Sequence, residues 1–373
     1  MHPKIIFLYC CCLCLSLGYS FTLNNRIHKR FSVADVSFLT ANLGDIRTRA
    51  ARDVTALPSL ADSSSRVVGK KEDPAIWTTP GYRKPLHWVQ KVSHLEDALQ
   101  FYQSNFNFIV YRHEEFSSGC EATCNGPYGG AWSKTMVGPA AGEGHSFCLE
   151  LVFNYGVNRY ERGNELRSIG VSRSAFAGDR SLIGTDPSGR EFLETPDGHW
   201  INLVDDGGKE PLRSIGGQDD SIQRISLHVS NLKSSMMFYE NILGAKVQMN
   251  EDSTSASCSW DDCNTNKVGE QAILSHTCVE LTQLPAGLSL EFEASQGRMA
   301  IEIEDGAVEQ IAQRARVSEA AGSGRIVHGP IKLEPHGEEV LILRDEDGHE
   351  YCFVDARGFK TCVDVAMRQV REC

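Results

Sequence analysis

Two stretches of the chain show the same order of apolar and polar positions. His87–Val92 and Arg224–Val229 are short runs whose valine, isoleucine and tryptophan residues favour strands. After each run, hydrophobic residues recur three or four positions apart, which predicts an amphipathic helix. These residues are Leu95, Ala98, Leu99 and Tyr102 in the first stretch, and Leu232, Met236 and Tyr239 in the second. Phe108–Tyr111 and Ala245–Met249 then favour extended structure, so the pattern predicts a strand–helix–strand unit at each place.

The two stretches are copies of one another. At one constant spacing along the chain, the matching residues are Val92/Val229, Ser93/Ser230, Leu95/Leu232, Phe101/Phe238 and Tyr102/Tyr239. Each serine stands just ahead of its helix and is predicted to cap it. PDGHWINLVD from Pro196 and EDGHEYCFVD from Glu346 close the two copies, and between these ends LEL at Leu149–Leu151 matches LEF at Leu290–Phe292. A repeat of this kind indicates two domains of about 130 residues each.

Each copy contains the unit twice. A second unit begins at Leu166–Ser172 in the first copy and at Met299–Ile303 in the second. Both of these units end in a strand that follows an Asp-Gly dipeptide, at Asp197 and at Asp347. This dipeptide is typical of tight turns. Four short βαβββ units in two domains predict an α+β fold.

Composition narrows the classes of function. The chain has 373 residues, 41% of them hydrophobic and 23% charged, which is enough material for two globular domains. Its 37 Lys and Arg residues against 49 Asp and Glu residues give a formal net charge of −12. Because nucleic-acid binding depends on clustered basic side chains, no nucleic-acid partner is expected. We predict a small-molecule substrate or ligand, and a monomer or homodimer.

The first 76 residues differ in composition from the rest. Residues 1–20 are typical of a secretory signal peptide, with Lys4, an apolar run over Ile5–Leu17 and small residues after it. The run is too short to favour a stable membrane span. Residues 21–76 are rich in Ser, Thr, Ala and Arg, as transit peptides are. Together they resemble the two-part presequence of proteins targeted to plastids of secondary origin; the alternative is a secreted protein with a disordered linker.

The cysteines favour the plastid over the secretory alternative. Four of the 13 lie in the apolar run, at Cys10, Cys11, Cys12 and Cys14, which leaves an odd number at irregular spacings. This fits free thiols in a reducing compartment better than a secreted disulfide framework. Cys120 and Cys124 flank a glycine-rich loop at a spacing that differs from the C-x-x-C redox motif, so a reactive pair and a structural role are both open.

Four segments carry a family resemblance: HWVQKV from His87, the block Arg112–Gly138, LELVFNYG from Leu149, and DEDGHEYCFV from Asp345. They resemble the vicinal oxygen chelate superfamily of glyoxalases, bleomycin resistance proteins and dioxygenases and, within it, the glyoxalase domain-containing protein 4 family. The resemblance covers about Trp77 to Asp355. It implies two tandem glyoxalase-like domains, 77–209 and 219–356, and a C-terminal tail, 357–373. In this α+β fold, each domain has two βαβββ units that form a curved mixed sheet around a cleft.

The resemblance also implies where a metal ion would bind. Two units that face one another bring His, Gln or Glu ligands from separate strands to one divalent ion. The matching positions in the four units are His87 and Glu150, Ser168 and Asn202, Arg224 and Glu291, and Arg298 and Cys352. If the first unit faces the fourth, the predicted ligands of Zn²⁺ or Ni²⁺ are His87, Glu150 and Cys352. Arg298, which cannot bind a cation, would compete for Glu150.

Two functions are consistent with these positions. As an enzyme, the protein would be a glyoxalase I-type lyase (lactoylglutathione lyase) acting on a small dicarbonyl or its glutathione adduct, with Glu150 as the catalytic base. The family's base is a last-strand glutamate, however, and Asn202 and Cys352 stand at those positions. The alternative is a non-catalytic module that binds a small molecule or a protein and has lost most metal ligands.

Charged residues at the lost ligand positions are candidates for substrate binding. Arg224 and Glu291 are interpreted either as an ion pair at a former metal position or as a clamp for an acidic ligand. Arg298 is a third candidate. His87 has a comparable alternative, in which it bonds to Glu150 without metal.

Overall fold

The computed structural model describes residues 83–205, 221–260, 277–320, 322, 324–333 and 337–372. The predicted signal peptide and transit segment, residues 1–76, lie outside these ranges. Within them, no helix is both long enough and apolar enough to cross a membrane.

The first copy contains eight strands in two units. The elements of its first unit are β1 (Arg83–Lys91), α1 (Leu95–Phe106), β2 (Ile109–Phe116), β3 (Trp132–Gly138) and β4 (Cys148–Asn154). In its second unit, two 3₁₀ turns replace the expected helix. The elements there are β5 (Leu166–Ser172), the turns Arg173–Ala175 and Arg180–Leu182, β6 (Gly184–Thr185), β7 (Glu191–Glu194) and β8 (Trp200–Val204).

The second copy repeats this order and adds a helix at its end. Its third unit contains β9 (Ile222–Val229), α2 (Leu232–Asn241), β10 (Lys246–Met249), β11 (Ser255–Ser259) and β12 (Cys278–Gln283). Its fourth unit contains β13 (Arg298–Ile303), α3 (Val308–Ala320), β14 (Arg325–Leu333), β15 (Glu338–Arg344) and β16 (Glu350–Asp355). The predicted tail folds as helix α4 (Ala356–Glu372).

The units pair across the two copies. One eight-stranded sheet, the first sheet, has the order β14-β15-β16-β13-β1-β4-β3-β2, and the second sheet has the order β10-β11-β12-β9-β5-β8-β7-β6. The first unit therefore joins the fourth through the antiparallel pair β1–β13, and the second joins the third through β5–β9. The condition for a site shared by the first and fourth units, that these two units face one another, is met.

One face of each sheet packs in a common hydrophobic core. A single cluster of buried side chains contains Trp88 and Leu149 from the first sheet and Ile169 and Ile225 from the second. Burying a side chain of this size stabilises the fold by about 1.5–3 kcal/mol. Because side chains alternate along a strand, the residues between these core positions point to the opposite face, which is the cleft side of the sheet.

The matched serines join the units rather than cap the helices. The cap positions are His94 and Asn231, and the Asn231 side chain accepts a hydrogen bond from the Ser234 amide. The Ser93 amide and hydroxyl both donate to Asp197 Oδ1, at 2.9 and 2.5 Å. In the second copy, the Ser230 amide donates to Asp347 Oδ2 and the Ser230 hydroxyl donates to Asp347 Oδ1. The predicted caps were wrong because a carboxylate in the turn of the next unit is a stronger partner than the neutral helix end.

Candidate functional site

The register of the second sheet identifies the counterpart of Glu150. In the first sheet, His87 lies opposite Cys148 and Val89 lies opposite Glu150. In the second sheet, Arg224 lies opposite Cys278 and Ser226 lies opposite Glu280. Glu280 thus stands in the place of Glu150, and the predicted match to Glu291 was wrong.

Glu291 lies in an exposed loop outside the strands. Its backbone amide donates to Asn164 Oδ1 at 2.8 Å, and its carbonyl accepts from the Asn164 amide at 3.0 Å. The predicted ion pair of Arg224 with Glu291 was also wrong, because Arg224 Nη1 lies 3.4 Å from Glu280 Oε1. The match of LEF at Leu290–Phe292 to LEL was wrong. The true counterpart is VEL at Val279–Leu281, which has the same alternation of apolar and acidic residues and lies in β12.

His87 and Glu150 lie side by side in the cleft of the first sheet. Their Nε2 and Oε2 atoms are 3.3 Å apart, and their side chains are 12% and 8% exposed. Burial raises the pKa of Glu150, but the hydrogen bond to His87 and the positive charges of His87, Lys134 and Arg112 outweigh burial and lower that pKa to about 2. His87 Nδ1 is buried without a hydrogen-bond partner among the described residues.

A second buried pair, missed in the sequence, lies beside these residues. Arg112 binds Glu143 through two parallel hydrogen bonds, from Nε to Oε2 at 2.7 Å and from Nη2 to Oε1 at 2.8 Å. Arg112 lowers the pKa of Glu143 against the effect of burial. The available sequence signal was the position of Arg112 at the start of the block that carried the family resemblance.

Arg298 does not contact Glu150. Its Nη2 and Nε donate to Glu350 Oε2 at 2.7 and 3.1 Å, and its Nη1 donates to the Ala122 carbonyl at 2.9 Å. Nη2 also bonds to Thr123. The expected competition for Glu150 was therefore wrong. Because its donors are directed to Glu350 and to loop 117–131, Arg298 holds that loop against the sheet.

Cys352 lies in the register row of His87, with Ala300 on the strand between them. The backbones of these two residues are therefore about 10 Å apart. Burial raises the pKa of the Cys352 thiol to about 11, although Arg298 lowers it. Metal binding by sulfur needs the thiolate, so this environment opposes it at neutral pH. Coordination by Cys352 stays a prediction.

Cys120 and Cys124 lie in loop 117–131, which covers the same sheet. They pack against Val89, Trp132 and Val152. A hydrogen bond from Cys124 lowers the pKa of the Cys120 thiol, and the same bond, together with burial, raises that of Cys124.

Helix α4 covers the other side of the first cleft. It contacts β2, β13, β15 and β16. Phe359 packs in a cluster with Leu86, Ala300, Val340 and Val354, on the face that carries His87. Cys362, one turn further on, is close enough to Arg112 to interact with it electrostatically.

The residues that the structure describes leave the cleft of the second sheet open. A cavity of about 380 Å³ lies there, and its lining includes Ser168, Asn202, Arg224 and Ser226. Asn202, Gly170 and Arg224 form one register row, so Arg224 occupies the place that His87 has in the first sheet. A guanidinium cannot bind a metal ion, and the row contains no histidine or carboxylate.

The donor set does not fit a catalytic metal ion. Within the described ranges, no group of three or more His, Cys, Asp or Glu side chains is placed to hold one. In the first cleft, His87 and Glu150 are joined to each other. The fourth unit contributes Arg298 and Glu350, which are already paired with one another.

Paired βαβββ units that build two mixed eight-stranded sheets, each with a cleft, define the class of glyoxalase-like vicinal oxygen chelate proteins. The fold resembles that of glyoxalase I from Zea mays, with a TM-score of 0.57 and 19% identity over 76% of this chain and 96% of that one. Residues 231–362 match the family model of the glyoxalase domain-containing protein 4-like C-terminal domain.

Two curated relatives align with most of the chain. Glyoxalase domain-containing protein 4 of Mus musculus is 32% identical over 74% of this chain and 87% of its own length. Glyoxalase 1 of Caenorhabditis elegans is 30% identical over 74% of this chain and 90% of its own length. The chain belongs to the glyoxalase domain-containing protein 4 family.

Proposed function

We propose that this protein binds a small organic molecule in a glyoxalase-type cleft and does not catalyse the metal-dependent isomerisation associated with that fold. One observation carries the proposal. The two ligand-type residues of the first cleft, His87 and Glu150, bond to each other, while the facing unit supplies the Arg298–Glu350 pair in place of ligands.

Electrostatics supports the same conclusion. The charge of Arg112 helps to lower the pKa of Glu150, although Arg112 is itself paired with Glu143. Glu150 is a weak base, since its pKa of about 2 is far below the pH at which a general base removes a proton efficiently.

A lactoylglutathione lyase activity is the second candidate. It is favoured by the survival of His87 and Glu150 side by side, with His87 Nδ1 free of hydrogen bonds among the described residues, and by relatives that include a protein named glyoxalase 1. Under this candidate, His87, Glu150 and Cys352 would hold Zn²⁺ or Ni²⁺, the ion would polarise the dicarbonyl oxygens, and glutathione would be the co-substrate.

Metal content and turnover separate the two candidates. We expect the purified protein to contain far less than one equivalent of zinc or nickel, with no change in His87→Ala or Glu150→Ala, and to form no lactoylglutathione from methylglyoxal and glutathione after incubation with either ion. Glu291→Ala is the control, because that side chain is exposed outside the strands. Stoichiometric metal that both cleft variants lose and the control retains, together with turnover, would establish the lyase instead.

A further inference from the structure

The cavity in the second sheet exists because small residues line its floor. Ser168 occupies the register position that Arg298 has in the first sheet, and Gly170 occupies that of Ala300. A Cβ atom at Gly170 would lie 2.9 Å from Arg224 Cβ and from Val204 Cγ2. The first cleft is filled at this position by the side chain of Arg298. The second cleft has only Ser168 there and leaves a cavity of about 380 Å³, a size that suits a small ligand.

Three guanidiniums lie around one carboxylate beside this cavity; Arg224 and Arg190 line the cavity, and Arg167 lines a separate one. Glu280 lies 3.4 Å from Arg224 Nη1, 3.9 Å from Arg167 Nη1 and 4.0 Å from Arg190 Nη1. Of these contacts, only the one to Arg224 is short enough for a hydrogen bond. The Ser226 hydroxyl also donates a hydrogen bond to this carboxylate, at Glu280 Oε2, over 2.9 Å. Glu280 therefore cannot satisfy the N–H donors that surround it.

Other arginines near the cavity are paired with other carboxylates. Arg190 Nε also donates to Asp186 Oδ2 at 3.1 Å, and Arg173 pairs with Glu191. With Asp205, which lines the cavity and is exposed, four carboxylates lie near the four arginines, so the charges balance. The guanidinium of Arg224, whose one hydrogen bond among the described residues goes to Glu280, keeps N–H donors for a ligand. The Arg224 side chain is 34% exposed, so its guanidinium is accessible to a ligand.

Neutral polar groups adjoin the guanidiniums. Ser168 and Asn202 line the cavity, and among the described residues Asn202 forms one side-chain hydrogen bond, from Nδ2 to the Glu191 carbonyl at 3.3 Å. The Asn202 Oδ1 acceptor can therefore receive a hydrogen bond from a ligand hydroxyl. A planar carboxylate matches the fork of donors on a guanidinium.

We infer that the cleft of the second sheet is a binding site for a small organic carboxylate, held by Arg224 and Arg190, with Ser168 and Asn202 bonding to a neighbouring hydroxyl or carbonyl. This inference rests on the proposed function, and it specifies the chemical class of the ligand and the cleft that binds it. It assigns binding to the second sheet, away from His87 and Glu150.

Ligand-detected NMR on the full-length protein tests this site, with malate, succinate and 2-oxoglutarate as probes, succinamide as the uncharged probe, and inorganic phosphate as a second anion. We expect at least one carboxylate to bind, with succinamide and phosphate at least tenfold weaker. Arg224→Gln should weaken that carboxylate at least tenfold, which corresponds to one charged hydrogen bond. Arg316→Gln, at an exposed position of α3, is the matched control and should leave the affinity unchanged.

Circular dichroism and thermal melting of Arg224→Gln establish that the variant is folded. No binding by any carboxylate probe, equal binding of phosphate, or an unchanged affinity in folded Arg224→Gln would each overturn the assignment. The outcome is separable from that of the metal and turnover experiment. Lyase activity lost in His87→Ala but kept in Arg224→Gln would contradict the proposed function alone, whereas absent carboxylate binding with absent metal would contradict only this site.

Discussion

At the scale of single residues, Glu150 links the first cleft to the pH dependence of folding. Its pKa falls from 4.5 to about 2 on folding, because the hydrogen bond and charge of His87 outweigh burial. A carboxyl whose pKa is lowered in the folded state stabilises the fold above its unfolded pKa, and it loses that contribution as the pH falls through its folded pKa. The contribution is therefore complete at pH 6 and declines from about pH 4.5 to about pH 2.

We expect Glu150→Gln to lower the free energy of unfolding at pH 6 by about 3 kcal/mol, which is the equivalent of the pKa shift. The difference from wild type should shrink steadily between pH 4.5 and pH 2. Urea unfolding of both proteins across pH 2–6 measures it. A difference that stays constant over this range would mean that the ionised carboxylate is not what stabilises the fold.

The sequence predicted the position of Glu150 but not the partners of the arginines. Alternation placed Leu149 and Leu151 on one face and Glu150 on the other, and the core confirms this arrangement. Arg298 meets Glu350 because β13 and β16 are adjacent in register, and that pairing joins residues far apart in the chain. No local pattern contains such information, so the guanidinium was assigned to the wrong carboxylate.

At the scale of elements, α4 is the main difference from the predicted fold. The resemblance ended near Asp355, and residues 357–373 were predicted to be a tail. Yet Phe359, Cys362, Val363 and Ala366 recur three or four positions apart, which is the spacing of a helix with one apolar face. The sequence contained this signal. What it could not give was the surface that the apolar face covers, because that depends on how the units pair.

Phe359→Ala tests whether α4 packs firmly on the first sheet. Phe359 is 7% exposed and packs in a cluster with residues of four strands, so its loss should lower the free energy of unfolding by about 3 kcal/mol. Lys360→Ala is the control on the same helix; its side chain is 76% exposed, and the change should cost less than about 0.5 kcal/mol. Chemical denaturation measures both variants. Equally small effects would show that the helix is not held on the sheet.

At the scale of the whole molecule, the duplication gave the number of units but not their partners. Two tandem domains in sequence suggest that each copy builds its own sheet. In the structure each sheet takes one unit from each copy, through β1–β13 and β5–β9. Each copy therefore contributes to both clefts. The two clefts differ because the four units carry different residues at the positions that face one another.

This pairing predicts that neither copy folds alone as a monomer. Residues 77–209 expressed by themselves would leave β1 and β5 without their antiparallel partners, and unpaired strand edges promote association. We expect this fragment to be insoluble or dimeric, and co-expression with residues 219–373 to give a soluble one-to-one complex. Light scattering and circular dichroism measure both outcomes. A monomeric 77–209 fragment with a cooperative melting transition would contradict the dependence of each sheet on both copies.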